Sequence, residues 1–191
     1  MADHCPSRRI GCAVLSLAAL LLTACSGGKK PEVEYPLPDT LCGAHVGKKT
    51  IEPLFPPGSK LTKTGDGLDK GKYASGCEYA VDNHKTLFVR NFFHEDVQTA
   101  RQIAERRATM YGDGDKKVTV DASGDAAVYS RGAVAVEACA GYSSEEDVEG
   151  PHKSFSVEIL TFYPKDLSKE EKALTQLVKK IVPIVAKANG C

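Results

Sequence analysis

An excess of charge of either sign is the first thing this 191-residue chain lacks, because 25 lysines and arginines balance 25 aspartates and glutamates. Without that excess there is no electrostatic case for nucleic acid as a partner, or for an anionic lipid surface. Long apolar runs are absent as well. The apolar stretch Ile10 to Leu22 covers about a dozen residues, too short to span a bilayer. No C-x-x-C spacing occurs, so a thiolate metal site has no support. His94-Glu95 begins like the zinc-protease H-E-x-x-H, but Gln98 stands where the second imidazole is needed. His45, His84 and His152 have no spacing that joins them. There is no G-x-S-x-G elbow, and the S-x-x-K at Ser26 to Lys29 lies in a stretch that cannot hold catalytic geometry. Gly65-Asp66-Gly67 with Gly71 has the spacing of a dinucleotide loop, yet a strand rather than a helix is expected after it, so it reads as a surface turn. Asp113-Gly114-Asp115 begins like a calcium loop but meets Lys117 at the next ligand position. The acidic run Glu145-Glu146-Asp147 with Glu149 reads as a solvated loop. No cofactor is expected.

What is present begins at the amino terminus. Arg8 and Arg9 precede the apolar stretch, and Leu22-Thr23-Ala24-Cys25 closes it in the manner of a bacterial lipoprotein signal. Cleavage before Cys25 is expected, with a diacylglyceryl thioether on its sulfur and acylation of the new amino terminus. Two or more chains anchor stably where one binds only marginally. Ser7-Arg8-Arg9 has a twin-arginine character, but Gly11 occupies a position that motif fills with a large apolar residue, which favours general secretion. The expected location is the cell membrane, lipid-anchored on the extracytoplasmic face. Ser26, not aspartate, follows the cysteine, so a diderm host would sort the protein to its outer membrane.

Residues 1–24 thus read as signal, 25–38 as lipidated cysteine and flexible tether rich in glycine, lysine and proline, and 39–191 as one domain. Of seven cysteines, Cys5 and Cys12 leave with the signal and Cys25 takes lipid. Cys42, Cys77, Cys139 and Cys191 remain for two disulfides in an oxidising compartment. Three pairings are open. Cys42–Cys77 and Cys139–Cys191 are expected, because the first ties an N-terminal turn to a nearby strand and the second pins the last residue to a sheet.

Periodicity predicts the elements. Asp39 is expected to cap a short helix through about Val46, ended by Pro53, Pro56 and Pro57. Strands are predicted at 60–64, 77–81, 86–92, 117–121, 125–130, 133–139 and 154–163, with a hairpin at Asp82 to Lys85 and a turn at Arg131-Gly132. In the last strand Phe155, Val157 and Ile159 alternate with Ser154, Ser156 and Glu158, which implies one buried and one wetter face. A helix from Asp96 to about Tyr111 places Val97, Ala100, Ala104, Ala108 and Tyr111 on one stripe, with Arg101, Arg106 and Arg107 on its wet side. A second helix follows a Ser168/Glu171 capping box and buries Leu174, Leu177, Val178, Ile181 and Val185, with a kink or stop expected at Pro183. The fold class is α+β: a mainly antiparallel sheet, two amphipathic helices on one face, and a short N-terminal helix before them.

Leu41-Cys42-Gly43, Gly76-Cys77-Glu78-Tyr79, Gly124-Asp125-Ala126-Ala127, Val136-Glu137-Ala138-Cys139 and the helical tail to Cys191, together with the lipobox, resemble small actinobacterial lipoproteins of unknown function. Tyr79 stands where many of those relatives carry tryptophan, a residue this chain does not contain. The resemblance implies an α+β domain with a curved antiparallel sheet and carries over no catalytic residue. The expected function is a non-catalytic binding or scaffolding module contacting an envelope protein, polymer or small ligand. The alternative is a cell-envelope hydrolase using carboxylates that leave no local signature.

Overall fold

Leu41-Cys42-Gly43 folds as a tight reversal. Cys42 and Gly43 both adopt positive φ, 50° and 91°, and they join two short antiparallel strands, β1 (Thr40–Leu41) and β2 (Ala44–His45). This ribbon replaces the helix expected from Asp39 to Val46. The short N-terminal helix comes later, as α1 (Lys48–Ile51), and runs into a single 3-10 turn over Glu52–Leu54, where Pro53 sits at the start without a missing hydrogen bond. The structure, a computed structural model, describes residues 32–68, 74–111, 118–142, 152–163 and 170–191. The signal segment, Cys25, the acidic run at 145–149 and Asp113 to Asp115 lie outside them.

The alternating segments form strands that pair with their chain neighbours. One antiparallel meander contains β3 (Leu61–Gly67), β4 (Ala74–Val81) and β5 (His84–His94). Helix α2 (Ala100–Met110) follows, and then a second meander of β6 (Thr119–Val120), β7 (Ala126–Tyr129), β8 (Gly132–Tyr142) and β9 (His152–Thr161). The two meet through β5 and β9 in a seven-stranded antiparallel sheet of order β3-β4-β5-β9-β8-β7-β6. Helix α3 (Glu171–Asn189) ends the fold, closed by Gly190 in the left-handed region.

Several boundaries move for local reasons. The β4–β5 hairpin turns on Asp82 and Asn83, whose φ values of 48° and 66° give the tight turn that matches strand twist, so β5 starts at His84. The β7–β8 turn is Ser130-Arg131, one residue earlier than expected, because Gly132 pairs with Tyr129. Helix α2 starts after Thr99, whose hydroxyl accepts the Gln102 amide while the Gln102 side chain accepts the Thr99 amide. In α3, Glu170 occupies the N-cap position and Ser168 lies outside the described residues. Pro183 stays inside that helix and does not end it.

The expectation that both long helices share a face is overturned. In β7, Ala126 and Val128 pack in the core beneath α3, whereas Ala127 and Tyr129 pack against α2. Successive residues of a strand point to opposite faces, so the helices sandwich that half of the sheet. On the α3 face the other half is covered by the N-terminal segment, through Leu41, Ile51, Leu54 and Phe55 against Tyr79 and its neighbours. On the α2 face, Phe88, Arg90 and Phe92 of β5 are only half-buried. No described helix is long and apolar enough to cross a membrane.

Candidate functional site

Both expected disulfides are present. Cys42 and Cys77 lie 5.6 Å apart at Cα, and Cys139 and Cys191 5.0 Å apart. Cys42–Cys77 fastens the N-terminal cover to β4, and Cys139–Cys191 fastens the end of α3 to β8. Tyr79 helps the first: its hydroxyl accepts the Cys42 amide at 3.1 Å and donates to the Thr40 carbonyl.

The α2 face of the sheet holds a charged cluster that the sequence did not announce. Glu158, fully buried in the central strand β9, is the one buried carboxylate among the described residues. Arg107 of α2 grips it with Nε to Oε2 and Nη2 to Oε1, both at 2.8 Å. Arg90, directly opposite in β5, donates from Nη2 at 2.9 Å and Nε at 3.2 Å. The Arg90 guanidinium lies 4.8 Å from the centre of Phe92 and 5.5 Å from that of Phe88, and Arg107 lies 5.5 Å from Phe92. Arg107 therefore belongs to the inner side of α2, not to the wet side with Arg101 and Arg106, which are exposed.

The rest of the supposedly wet face of β9 is buried too. Ser156 meets His94 Nε2 at 2.9 Å; Ser154 accepts the Gln98 amide at 3.3 Å and donates to the Asp96 carbonyl at 2.8 Å. Burial lowers the His94 pKa; Glu158 raises it, whereas Arg106, His152 and Arg107 lower it. The packed stripe of α2 is Ala100, Ile103, Ala104 and Ala108, while Val97 is 71% and Tyr111 36% exposed. Tyr129 is buried under this helix, and desolvation, then Glu158 and Tyr111, raise its pKa.

A second feature lies at the β4–β5 hairpin end. There the described part of the segment expected to be free tether, from Glu32 on, is held on the domain: Val33 pairs with Gly58, the Glu34 amide bonds the Gly58 carbonyl at 2.9 Å, and Tyr35 is buried with its hydroxyl on the Pro56 carbonyl, while residues 25–31 lie outside the described residues. Burial, then Asp82 and Tyr163, push the Tyr35 hydroxyl up to about 12. Pro56, Pro57, His84, Lys85, Phe162 and Tyr163 line a cleft of about 230 Å³ beside it. A wider cleft of about 420 Å³ lies between β8 and α3, near Glu137, Lys179 and Pro183.

Among the described residues no three histidine, cysteine, aspartate or glutamate side chains converge as a metal site. His45 lies in β2 and His84 at the start of β5, away from His94 and His152, which lie at neighbouring ends of the paired strands β5 and β9. Gly65 and Gly67 lie within β3, the next described element is strand β4, and Gly71 lies outside the described residues. The chain matches no known protein family, no curated protein and no solved structure. Fold and disulfides define it as a disulfide-bonded α+β protein built on an antiparallel sheet.

Proposed function

We propose that this is a lipid-anchored extracytoplasmic protein, held through Cys25 on the cell membrane, whose disulfide-bonded domain acts as a non-catalytic binding or scaffolding module at the envelope. The lipobox supports the location, and the resemblance to small actinobacterial lipoproteins is part of the same proposal. The carrying observation for binding is the strip of Phe88, Arg90 and Phe92, half-buried where α2 leaves the β4–β5 half of the sheet. Guanidinium over aromatic rings is a surface that recognises carboxylates and other planar or anionic groups. Glu158 favours binding over catalysis: both of its oxygens accept guanidinium hydrogen bonds, which leaves it poorly placed to exchange protons with a substrate.

The test is site-specific crosslinking in intact cells. A photoreactive residue at Glu78, on the same strip, should give a discrete adduct with an envelope component, and one at the exposed Lys187 of α3 should not. Adducts at neither site, or equally at both, would remove the strip from consideration. Cys25→Ala should release the protein or leave an unprocessed precursor; unchanged mass and membrane association would refute the anchor.

A further inference from the structure

The chain from Cys25 to the first described residue, Glu32, spans seven residues. Fully extended, that is at most about 25 Å. Strand β5, with eleven residues, is roughly 35 Å long. The tether is therefore shorter than the sheet it holds, and where it joins the domain decides which end faces its attachment point. It joins at the hairpin end. Glu32 accepts the Gly58 amide at 3.3 Å, Glu34 donates back to Gly58, and the Ser59 and Lys60 amides are bonded by Asp82 of the β4–β5 turn. This end carries Pro56, Pro57 and two of the exposed large apolar side chains, Phe162 at 43% and Tyr163 at 37%. Aromatic rings with one apolar body and one wet edge are favoured at the level of lipid headgroups.

We infer that the Pro56, Pro57, Phe162 and Tyr163 end of the domain docks on the bilayer interface that anchors the chain, so that the sheet stands away from the membrane and the Phe88–Arg90–Phe92 strip faces sideways. The inference rests on Cys25 being the lipid-bearing residue. A short tether keeps the patch at high effective concentration near the lipid, so a contact too weak to hold a free protein suffices. Attraction by charge is not the driving force, since Asp82 and Lys85 share the cleft.

The absence of tryptophan from the chain makes a clean test possible. Tyr163→Trp and Phe162→Trp each introduce a sole indole at the patch, and Val97→Trp introduces one beyond the opposite end of β5. The full lipidated protein is reconstituted in phosphatidylcholine vesicles with and without brominated acyl chains, and flotation is measured on the same samples. The expected result is that all three variants float, that the indoles at 162 and 163 lose most of their emission to brominated lipid, also at high salt, and that the one at 97 does not. Flotation with equal quenching at both ends, or stronger quenching at 97, overturns the docking while leaving the anchor intact. Failure of all three to float overturns the anchor itself and the docking with it.

Discussion

Arg90 and Arg107 reach the Glu158 carboxylate from positions 68 and 51 residues away in the chain. Removing either guanidinium leaves a buried charge short of donors, so Arg107→Met should destabilise the protein by about 2–4 kcal/mol in urea unfolding. Replacing Arg90, Arg107 and Glu158 together by leucine or methionine should cost much less. If the single and triple variants lose the same amount, the cluster acts through packing and not through charge. Asp121 gives a second test. Burial raises its pKa, but hydrogen bonds from Lys179, Ser123 and the Ala126 amide prevail and lower it from 3.8 to about 2. Its contribution is therefore complete above pH 4 and is lost as pH falls toward 2. Asp121→Asn should flatten the acid limb of the stability profile in that window; an unchanged slope would exclude this group as its source. Neither cluster was legible in the sequence, because each depends on register or helix facing. Glu158 reads as one of three polar residues on a wet face, and what encloses it is α2 packed on that face, with Arg107 above it and Arg90 beside it.

Elements were more legible than their ends. The hairpin of β4 and β5, the long β8 and β9, and the apolar stripe of α3 all follow from periodicity that local chemistry reinforces. Starts and stops moved because capping selects among nearby polar residues. Asp96 and Thr99 both have cap-forming side chains, but only Thr99 has a glutamine three residues on to complete the reciprocal bond. Thr99→Ala should therefore cost about 1 kcal/mol, and Asp96→Ala far less, in thermal or denaturant unfolding. Equal losses would mean that the helix begins earlier. Gly132 shows the constraint in the sheet: a Cβ there would collide with the Ile159 carbonyl oxygen, so Gly132→Ala should disturb the β8–β9 pairing. Hydrogen exchange along β9 measures that loss directly, and unchanged protection would show that the ladder absorbs the extra carbon.

At the scale of the molecule, both disulfides fasten a covering segment onto the same face of the sheet. Cys77 and Cys139 belong to the core beneath α3, and their partners lie in the N-terminal cover and at the end of α3. With loops of 35 and 52 residues, each bridge should contribute about 4 kcal/mol by restricting the unfolded chain. Cys139→Ser with Cys191→Ser should lower the melting temperature and leave the end of α3 frayed in hydrogen exchange; an unchanged melting temperature would remove the bridge from the stability argument. By itself the sequence determined the strands of the seven-stranded sheet, the two long helices and the α+β class, because these rest on short-range periodicity and turn chemistry; it left three cysteine pairings open, and the tertiary structure decided between them. Only the tertiary structure decided that α2 and α3 take opposite faces, that residues 32 to 38 belong to the domain, and that Glu158 is enclosed by two arginines. Those outcomes depend on which surfaces meet across the sheet, and surface meeting is set by the burial of the whole chain, not by any local pattern.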